Sequence, residues 1–547
     1  MQGLMMDYPL TLQHFMDRAQ RLYPKKEIAT KQGAAMHRYT YGEWYTRTSK
    51  LAGALKRLGV QKSDRIGTLG WNTYRHLELY FGVSCSGGVT HTLNLRLPPD
   101  QLTYIANHAE DSLIFVDASL VPLLEKIAPQ LETVKQYVIM CDGAMPETSL
   151  KPAVSYEELI APESDSFDWQ PLDERDAAFM CYTSGTTGHP KGALYSHRSL
   201  FLHSFGEGLA SSMAINENDV VLPVVPMFHA NAWGLAFTAT MVGAKLVFPG
   251  PHLQPTDLLQ LIQNEKVTVP AGVPTIWIGI LGELERNPNY DLSSVRAMPV
   301  GGSAAPRAMI EAYEKKYGVH ILHAWGMTEM TPLGTLSILK SYMRDLPEEK
   351  KFAVRAKQGT PIVGVDIRAV DETGKQVPWD GQTMGELEVR GPWIISAYYK
   401  MEGSQDRFHD GWFRTGDVVT IDAEGYIQIV DRTKDLVRSG GEWISTVDLE
   451  GLIMGHPKVS EAAVIAVPHP KWQERPLALV VPKPAYKGQL TKEEIIEFLT
   501  PKTAKWWLPD DVVFIEAVPK TSVGKFDKKV LRDQFKDYKL PGIAAGE

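Results

Sequence analysis

The stretch Tyr182-Thr-Ser-Gly-Thr-Thr-Gly-His-Pro-Lys-Gly192 gathers four Ser/Thr hydroxyls, three glycines and a lysine into eleven residues. Glycine lets the backbone take positive φ and turn its N–H groups toward an anion. Thr183, Ser184, Thr186 and Thr187 add hydroxyl donors, Gly185 adds freedom, and Lys191 adds positive charge. This is the composition of a phosphate cradle. Its spacing is not G-x-x-x-x-G-K-[ST], which argues against a kinase-like or GTPase-like P-loop.

Outward from this loop the chain alternates strand-like and helix-like pieces. Arg65–Leu69 reads as a strand, Tyr74–Val83 as an amphipathic helix, and Gly88–Thr92 as a strand. Pro99–Asn107 then reads as a helix and Ser112–Asp117 as a strand. Such alternation implies parallel sheets covered by helices. It resumes beyond the loop with Asp219–Val225 and the helical Asp257–Asn264, without a short internal repeat. From 360 to 430 the pieces become shorter and β-rich, with alternation in Glu386–Arg390 and Tyr426–Val430 and turns at Glu372–Gly374 and Ala423–Gly425. A charged segment, Asp431-Arg-Thr-Lys-Asp435, precedes a compact α+β tail. That tail holds a helix from Val447, strands at Ala462–Val467 and Leu477–Val481, and the capping box Thr491-Lys-Glu-Glu494. The expected architecture is α/β: a large domain over 1–431 with a β-rich subdomain at 360–431, and a small mobile domain over 432–547.

At 547 residues the chain is too long for one core. Its 44% hydrophobic and 22% charged residues fit a globular enzyme, and its net charge of −8 argues against a general nucleic-acid binder. Cys85, Cys141 and Cys181 form no C-x-x-C pair, which fits a reducing compartment without disulfides or a zinc site. We see neither a signal-peptide pattern at Met1–Pro9, nor a spanning apolar run, nor an organelle address at Glu547. The expected location is the cytoplasm, with contact at a membrane surface left open.

Further motifs follow in order. His323-Ala-Trp-Gly-Met-Thr-Glu329 offers a flat indole for stacking, a hydroxyl, and a carboxylate suited to Mg²⁺. Val300-Gly-Gly-Ser-Ala-Ala-Pro306 is a glycine turn, and Trp412-Phe-Arg-Thr-Gly-Asp417 ends in a carboxylate that can accept two hydrogen bonds from a diol. Together with YTSGTTG-x-PKG, these resemble the signatures of the adenylate-forming enzymes, which comprise acyl-CoA synthetases, peptide-synthetase adenylation domains and luciferases. The resemblance covers nearly the whole chain. It implies that ATP sits against Thr183, Ser184, Gly185, Thr186, Thr187, Lys191, Gly302, Ser303, Trp325, Thr328, Asp417 and Arg432, with Thr183 and Glu329 holding Mg²⁺. Lys525, in Pro519-Lys-Thr-Ser-Val-Gly-Lys525, matches the lysine that neutralises charge during adenylation, beside Thr328 and Glu329 as the other catalytic residues. Lys434 falls at the family's hinge, and Arg438, Gly441 and Trp443 fall in the segment that serves coenzyme A.

The chemistry this implies has two steps: a carboxylate takes AMP from ATP, and a thiol then takes the acyl group. Amino-acid-activating relatives carry an aspartate after the phenylalanine of Pro226-Met-Phe-His229; this chain has His229, so an ammonium would be left unpaired. Acetate-specific relatives close the pocket with a second tryptophan where this chain has Gly326. We therefore expect an open apolar channel lined by His229, Trp233, Gly301 and Gly326, with Trp233 as a gate. The wording SHRS, VVPMFHANAW, VGGSAAPR and GGEWIS is similar to bacterial medium- and long-chain fatty-acid CoA ligases. ATP, Mg²⁺, coenzyme A and a fatty acid are the expected ligands, and a homodimer is carried over from the resemblance. The rivals are an aromatic or branched acid, a carrier-protein acceptor, a nucleotide-binding regulator without turnover, and a Walker-type ATPase.

Overall fold

A computed structural model describes the chain except residues 2, 184–188, 402, 434, 440–441, 521–525 and 542–547. Two mostly parallel sheets form its large part. The first has the order Ala153–Ser155, Gln136–Met140, Asp111–Asp117, Arg65–Leu69, Val89–Thr92, Ala177–Tyr182 and Gly192–Ser196, and only the last strand is antiparallel. The second runs Val269–Ala271, Val220–Pro223, Lys245–Phe248, Glu27–Gln32 and Ala35–Thr40. A bridge from Gly272 to Val300 joins its edge to a third sheet, Met298–Val300, Ile321–Gly326, Leu333–Leu336 and Thr360–Pro361. Parallel neighbours need crossovers, and the helices predicted between them are present. Examples are Pro99–Ala109 and Pro255–Glu265, each with proline in its first turn, where the lost N–H needs no partner.

One helix departs from its sequence reading. Tyr74–Cys85 is buried on every face instead of being amphipathic. It lies between the first two sheets, where Tyr80 and Phe81 pack with Phe179 and Phe237. Its polar residues are paired within the interior. Glu78 accepts from Arg47 Nε at 2.7 Å and from the Tyr156 hydroxyl at 2.6 Å, while His76 meets Thr68 Oγ1 at 3.0 Å.

The β-rich region is an antiparallel sheet of Asp366–Val370, Gly385–Arg390, Trp412–Ile421 and Phe408–His409, with Ile427–Arg432 also against Trp412–Ile421. Alternation in Gly385–Arg390 is broken at Glu388, which is buried and held by Arg368 at 2.6 Å. A separate sheet follows: Glu442–Ile444, Val437–Ser439, Gln473–Pro482 and Val459–His469, with Asp511–Phe514 on the long hairpin. Helices Thr446–Met454, Lys492–Leu499 and Lys528–Gln534 accompany it, and the capping box at Thr491 and Glu494 forms as expected. The three cysteines are free and buried. No helix among the described residues is long and apolar enough to cross a membrane.

Candidate active site

The loop quoted first joins the antiparallel strands Ala177–Tyr182 and Gly192–Ser196. Its neck is closed by two bonds: Thr183 N donates to the Lys191 carbonyl at 2.9 Å, and Lys191 N donates to Thr183 Oγ1 at 3.1 Å. Ser184, Gly185, Thr186 and Thr187 lie outside the described residues. Thr183 and Lys191 face a cavity of about 500 Å³.

The strand leaving the loop also carries the opposite wall. Tyr195 donates from its hydroxyl to the Thr328 carbonyl at 2.5 Å, which fixes the short turn Thr328–Met330. From that turn Thr328 and Glu329 line the cavity. Tyr398 donates to Glu329 Oε1 at 2.6 Å, and Lys191 Nζ stands 4.9 Å from the centre of the Tyr398 ring. Burial, reinforced by the Glu329 charge, pushes the Tyr398 phenol well up, so it stays a neutral donor.

Trp325 ends the strand Ile321–Gly326, where a register shift against Leu333 lies between Trp325 and Gly326. Its Nε1 donates to Asp417 Oδ2 at 2.9 Å, and Asp417 Oδ1 lies 3.3 Å from Arg432 Nε. The Asp417 charge raises the Arg432 pKa further. Asp417 is therefore fixed by two neighbours, yet a carboxylate has about four acceptor sites and can take more bonds. Gly334 makes room for this arrangement, since a Cβ there would come within 2.6 Å of the Trp325 ring.

The turn after Met298–Val300 brings Gly301 and Gly302 to the cavity, and Gly302 has φ +84°, a conformation that favours glycine. His323 braces that turn by accepting from Ala305 N at 3.2 Å, and burial lowers its pKa to about 4, which keeps it neutral. Ser303, expected at the nucleotide, is exposed and outside the lining.

His229, Ala230, Trp233, Met213, Pro332 and Leu333 also line the cavity. Ala230, Asn231, Ala232, Trp233 and Gly234 all have positive φ, between 43° and 88°. This left-handed turn carries a cost of about 1–2 kcal/mol per non-glycine residue. Gly326 lines the cavity, but its missing side chain does not open the expected acyl channel. A Cβ there would be 2.2 Å from the Pro332 carbonyl oxygen, so its side-chain direction meets backbone instead of open volume. Beneath the turn, His203 accepts from Leu333 N at 3.1 Å, and a Cβ on Gly234 would approach both His203 and Glu207. Burial lowers the His203 pKa to about 3 and raises that of Glu207 to about 8.

Of the segment expected to serve coenzyme A, Lys434 and Gly441 lie outside the described residues, as does Lys525. Arg438 is exposed, its N–H donating to Glu474 at 2.8 Å. Trp443 packs near Met384, Val418, Val430 and Leu436, away from the cavity lining. The sequence reading did not single out His189, Tyr398 or Arg407, which also line the cavity. His189 was quoted only as the variable position of the loop. Tyr398 sits in a run of aromatic residues and Arg407 stands without a motif, so neither carried a signal.

A family model described as AMP-binding enzyme matches residues 16–399, and one described as AMP-binding enzyme C-terminal domain matches 448–525. The chain is 49% identical over 98% of its length, and 97% of the relative's, to a long-chain-fatty-acid–CoA ligase of Thermus thermophilus. It is 46% identical over 98% of its length, and 99% of the relative's, to a 3-methylmercaptopropionyl-CoA ligase of Ruegeria lacuscaerulensis. Among solved structures, ATP-bound MatB from Rhodopseudomonas palustris is 27% identical with TM-score 0.82, covering 97% of this chain and 100% of that one. The apo form of the same enzyme, at equal coverage, overlaps less well, with TM-score 0.73.

Proposed function

The chain belongs to the AMP-binding enzymes, and from that premise we propose that it activates a medium- or long-chain fatty acid with ATP and passes the acyl group to coenzyme A. The observation that carries this reading is the juxtaposition in one cavity of Thr183, Lys191, Thr328, Glu329 and Arg432 with the apolar side chains of Met213, Trp233 and Leu333. A carboxylate oxygen of the acid attacks the α-phosphorus of ATP, the bond to pyrophosphate breaks, and acyl-AMP forms. The thiol of coenzyme A then attacks the acyl carbonyl and AMP leaves. Lys191 and Arg432 supply positive charge, and Thr183 and Thr328 supply hydroxyls, where negative charge gathers on phosphate oxygens. Trp325, steadied by Asp417, supplies the stacking face for adenine, and Asp417 and Arg432 take the ribose.

The described residues contain no group of three or more His, Cys, Asp or Glu that could hold a metal ion. One carboxylate and a hydroxyl fit Mg²⁺, which uses few protein ligands and relies on phosphate oxygens and water. Glu329 and Thr183 would hold it, and it would neutralise phosphate charge. Lys525 would serve adenylation, and Lys434 would be the hinge between domains meeting near Asp431. Arg438, Gly441 and Trp443 would face the second half-reaction after the small domain turns. A cytoplasmic homodimer completes the proposal, supported by the three unpaired cysteines and by the family likeness.

The Ruegeria relative favours a second reading, a short thioether acid. The test is AMP and pyrophosphate release from ATP across acetate, 3-methylmercaptopropionate, octanoate, dodecanoate, oleate and benzoate, with and without coenzyme A. AMP release dependent on octanoate or longer acids and on coenzyme A supports the proposal. A preference for 3-methylmercaptopropionate moves it to the second reading, and ADP in place of AMP refutes both.

A further inference from the structure

Where the small domain meets the large one, a buried polar cluster crosses position 434. Lys528 opens the helix Lys528–Gln534, and its Nζ lies 2.8 Å from Glu450 Oε1, with side chains 11% and 8% exposed. The same Nζ donates to Thr446 Oγ1, and Thr446 donates to Asp431 Oδ2 through its hydroxyl and, at 3.1 Å, through its N–H. Asp431 is 2% exposed and belongs to the strand Ile427–Arg432, whose last residue lines the cavity. Two more bonds run the same way: Ser445 Oγ donates to the Val430 carbonyl at 2.6 Å, and Gln428 Nε2 to Asp448 Oδ1 at 3.1 Å. The cluster thus connects the last helix of the small domain, through its first helix, to the strand that carries Arg432.

We infer that Lys528 is a positioning residue for acyl-AMP formation, clamping the small domain onto Asp431 in the orientation of the first half-reaction and releasing it for the second. This rests on the two-step reading above. Two observations tie the clamp to the first step. Lys528 follows Lys525 by three residues, so an anchor on Lys528 restricts where that lysine can reach. Trp443, from the segment assigned to coenzyme A, packs against the cluster of Val418, Val430 and Leu436 and is not part of the cavity lining.

The charges suit a contact that holds and can be undone. Burial would lower the Lys528 pKa, but the charges of Asp431, Glu450 and Asp435 outweigh it and keep the ammonium charged. Burial raises the pKa of Glu450 to about 7 against the pull of Lys528, and raises that of Asp431 as well. The pair of Arg532 with Asp435 lies wholly downstream of position 434 and so does not distinguish one orientation from another. The Lys528 cluster would have to open when the domain turns, as would the packing of Leu436 and Trp443 against Val418 and Val430.

Lys528→Met is the direct test, with each half-reaction read separately. Pyrophosphate release from ATP and dodecanoate without coenzyme A reports the first, and thioester formation from synthetic dodecanoyl-AMP and coenzyme A reports the second. The first should slow about 5- to 150-fold, the range of a coupling between two states. The second should stay within about twofold, since no clamp acts there. Lys528→Arg should recover most of the loss. Thr446→Val removes the bridging hydroxyl without changing shape, should show a smaller split in the same direction, and decides the matter if Lys528→Met does not fold. Equal losses in both half-reactions, or no loss in either, overturn the inference. A wild-type enzyme that releases no pyrophosphate with any acid of the panel refutes the ligase reading instead, before any variant is compared.

Discussion

The cavity wall at Asp417 and the layer beneath the turn Ala230–Gly234 treat ionisable groups in opposite ways. Toward Asp417 and Arg432, charges are kept by pairing: the Asp417 carboxylate is held between the Trp325 N–H and the Arg432 guanidinium. Beneath that turn, outside the cavity lining, titratable groups are kept neutral by burial. His203 and Glu207 stay uncharged near neutral pH, with pKa about 3 and about 8. The first suits a ligand whose charge is constant, the phosphates and ribose of a nucleotide. The second suits an acyl chain, which would gain nothing from a charge and lose from an uncompensated one.

The largest effect is expected from Lys525→Ala, at the lysine proposed to serve adenylation. Acyl-AMP formation should fall by roughly 10²–10³, the usual cost of one preorganised donor, while conversion of preformed acyl-AMP is spared. Equal loss in both steps would remove Lys525 from adenylation. Asp417→Ala should come next, since it strands the Trp325 N–H and the Arg432 charge. A hydrogen bond to a charged group is worth about 1.5–3 kcal/mol, so kcat/KM for ATP should drop about 10- to 150-fold. The order of preference among acids should not move; if it does, the two regions are not separate.

At the turn, Trp233→Ala should widen the channel and leave KM for ATP unchanged. A buried methylene is worth about 0.8 kcal/mol, so the ratio of kcat/KM between neighbouring acids in the panel should shift by about fourfold per carbon. Gly326→Trp is a poor tool for this, because its side chain would run into the backbone at Pro332. The smallest effect concerns stability. The pKa of Glu207 is raised to about 8 in the folded chain from an ordinary 4.5, so folding takes up a proton between these values. Stability from this group is then greatest below about pH 4.5 and is lost as pH rises through 8. Glu207→Gln should flatten the fall in thermal midpoint from pH 5.5 to 8.

Parallel strands and most helices were legible because their periodicity is local. Arg65–Leu69 is observed with the bounds its sequence suggests. Tyr74–Cys85 was misread because its polar residues suggest a solvent face, and only the fold supplies Arg47 and Tyr156 as partners for Glu78. Residues carried by spaced motifs, such as Thr183, Trp325 and Glu329, line the cavity, whereas Tyr398 meets Glu329 across 69 positions of chain and no motif announces it. The left-handed run Ala230–Gly234 contains a single glycine at its end, so nothing local announces it.

The helix Tyr74–Cys85 has one more consequence, for how the chain can be cut. Its residues share a core with Phe179 of the first sheet and with Ile28, Val221 and Leu246 of the second. Neither sheet can cover its inner face without it. A fragment ending after the first sheet, near residue 210, would split the second sheet, leave Tyr80 and Phe81 without Phe237 and expose a broad apolar surface. The two sheets should therefore melt in a single cooperative transition, with no half of the large domain surviving alone.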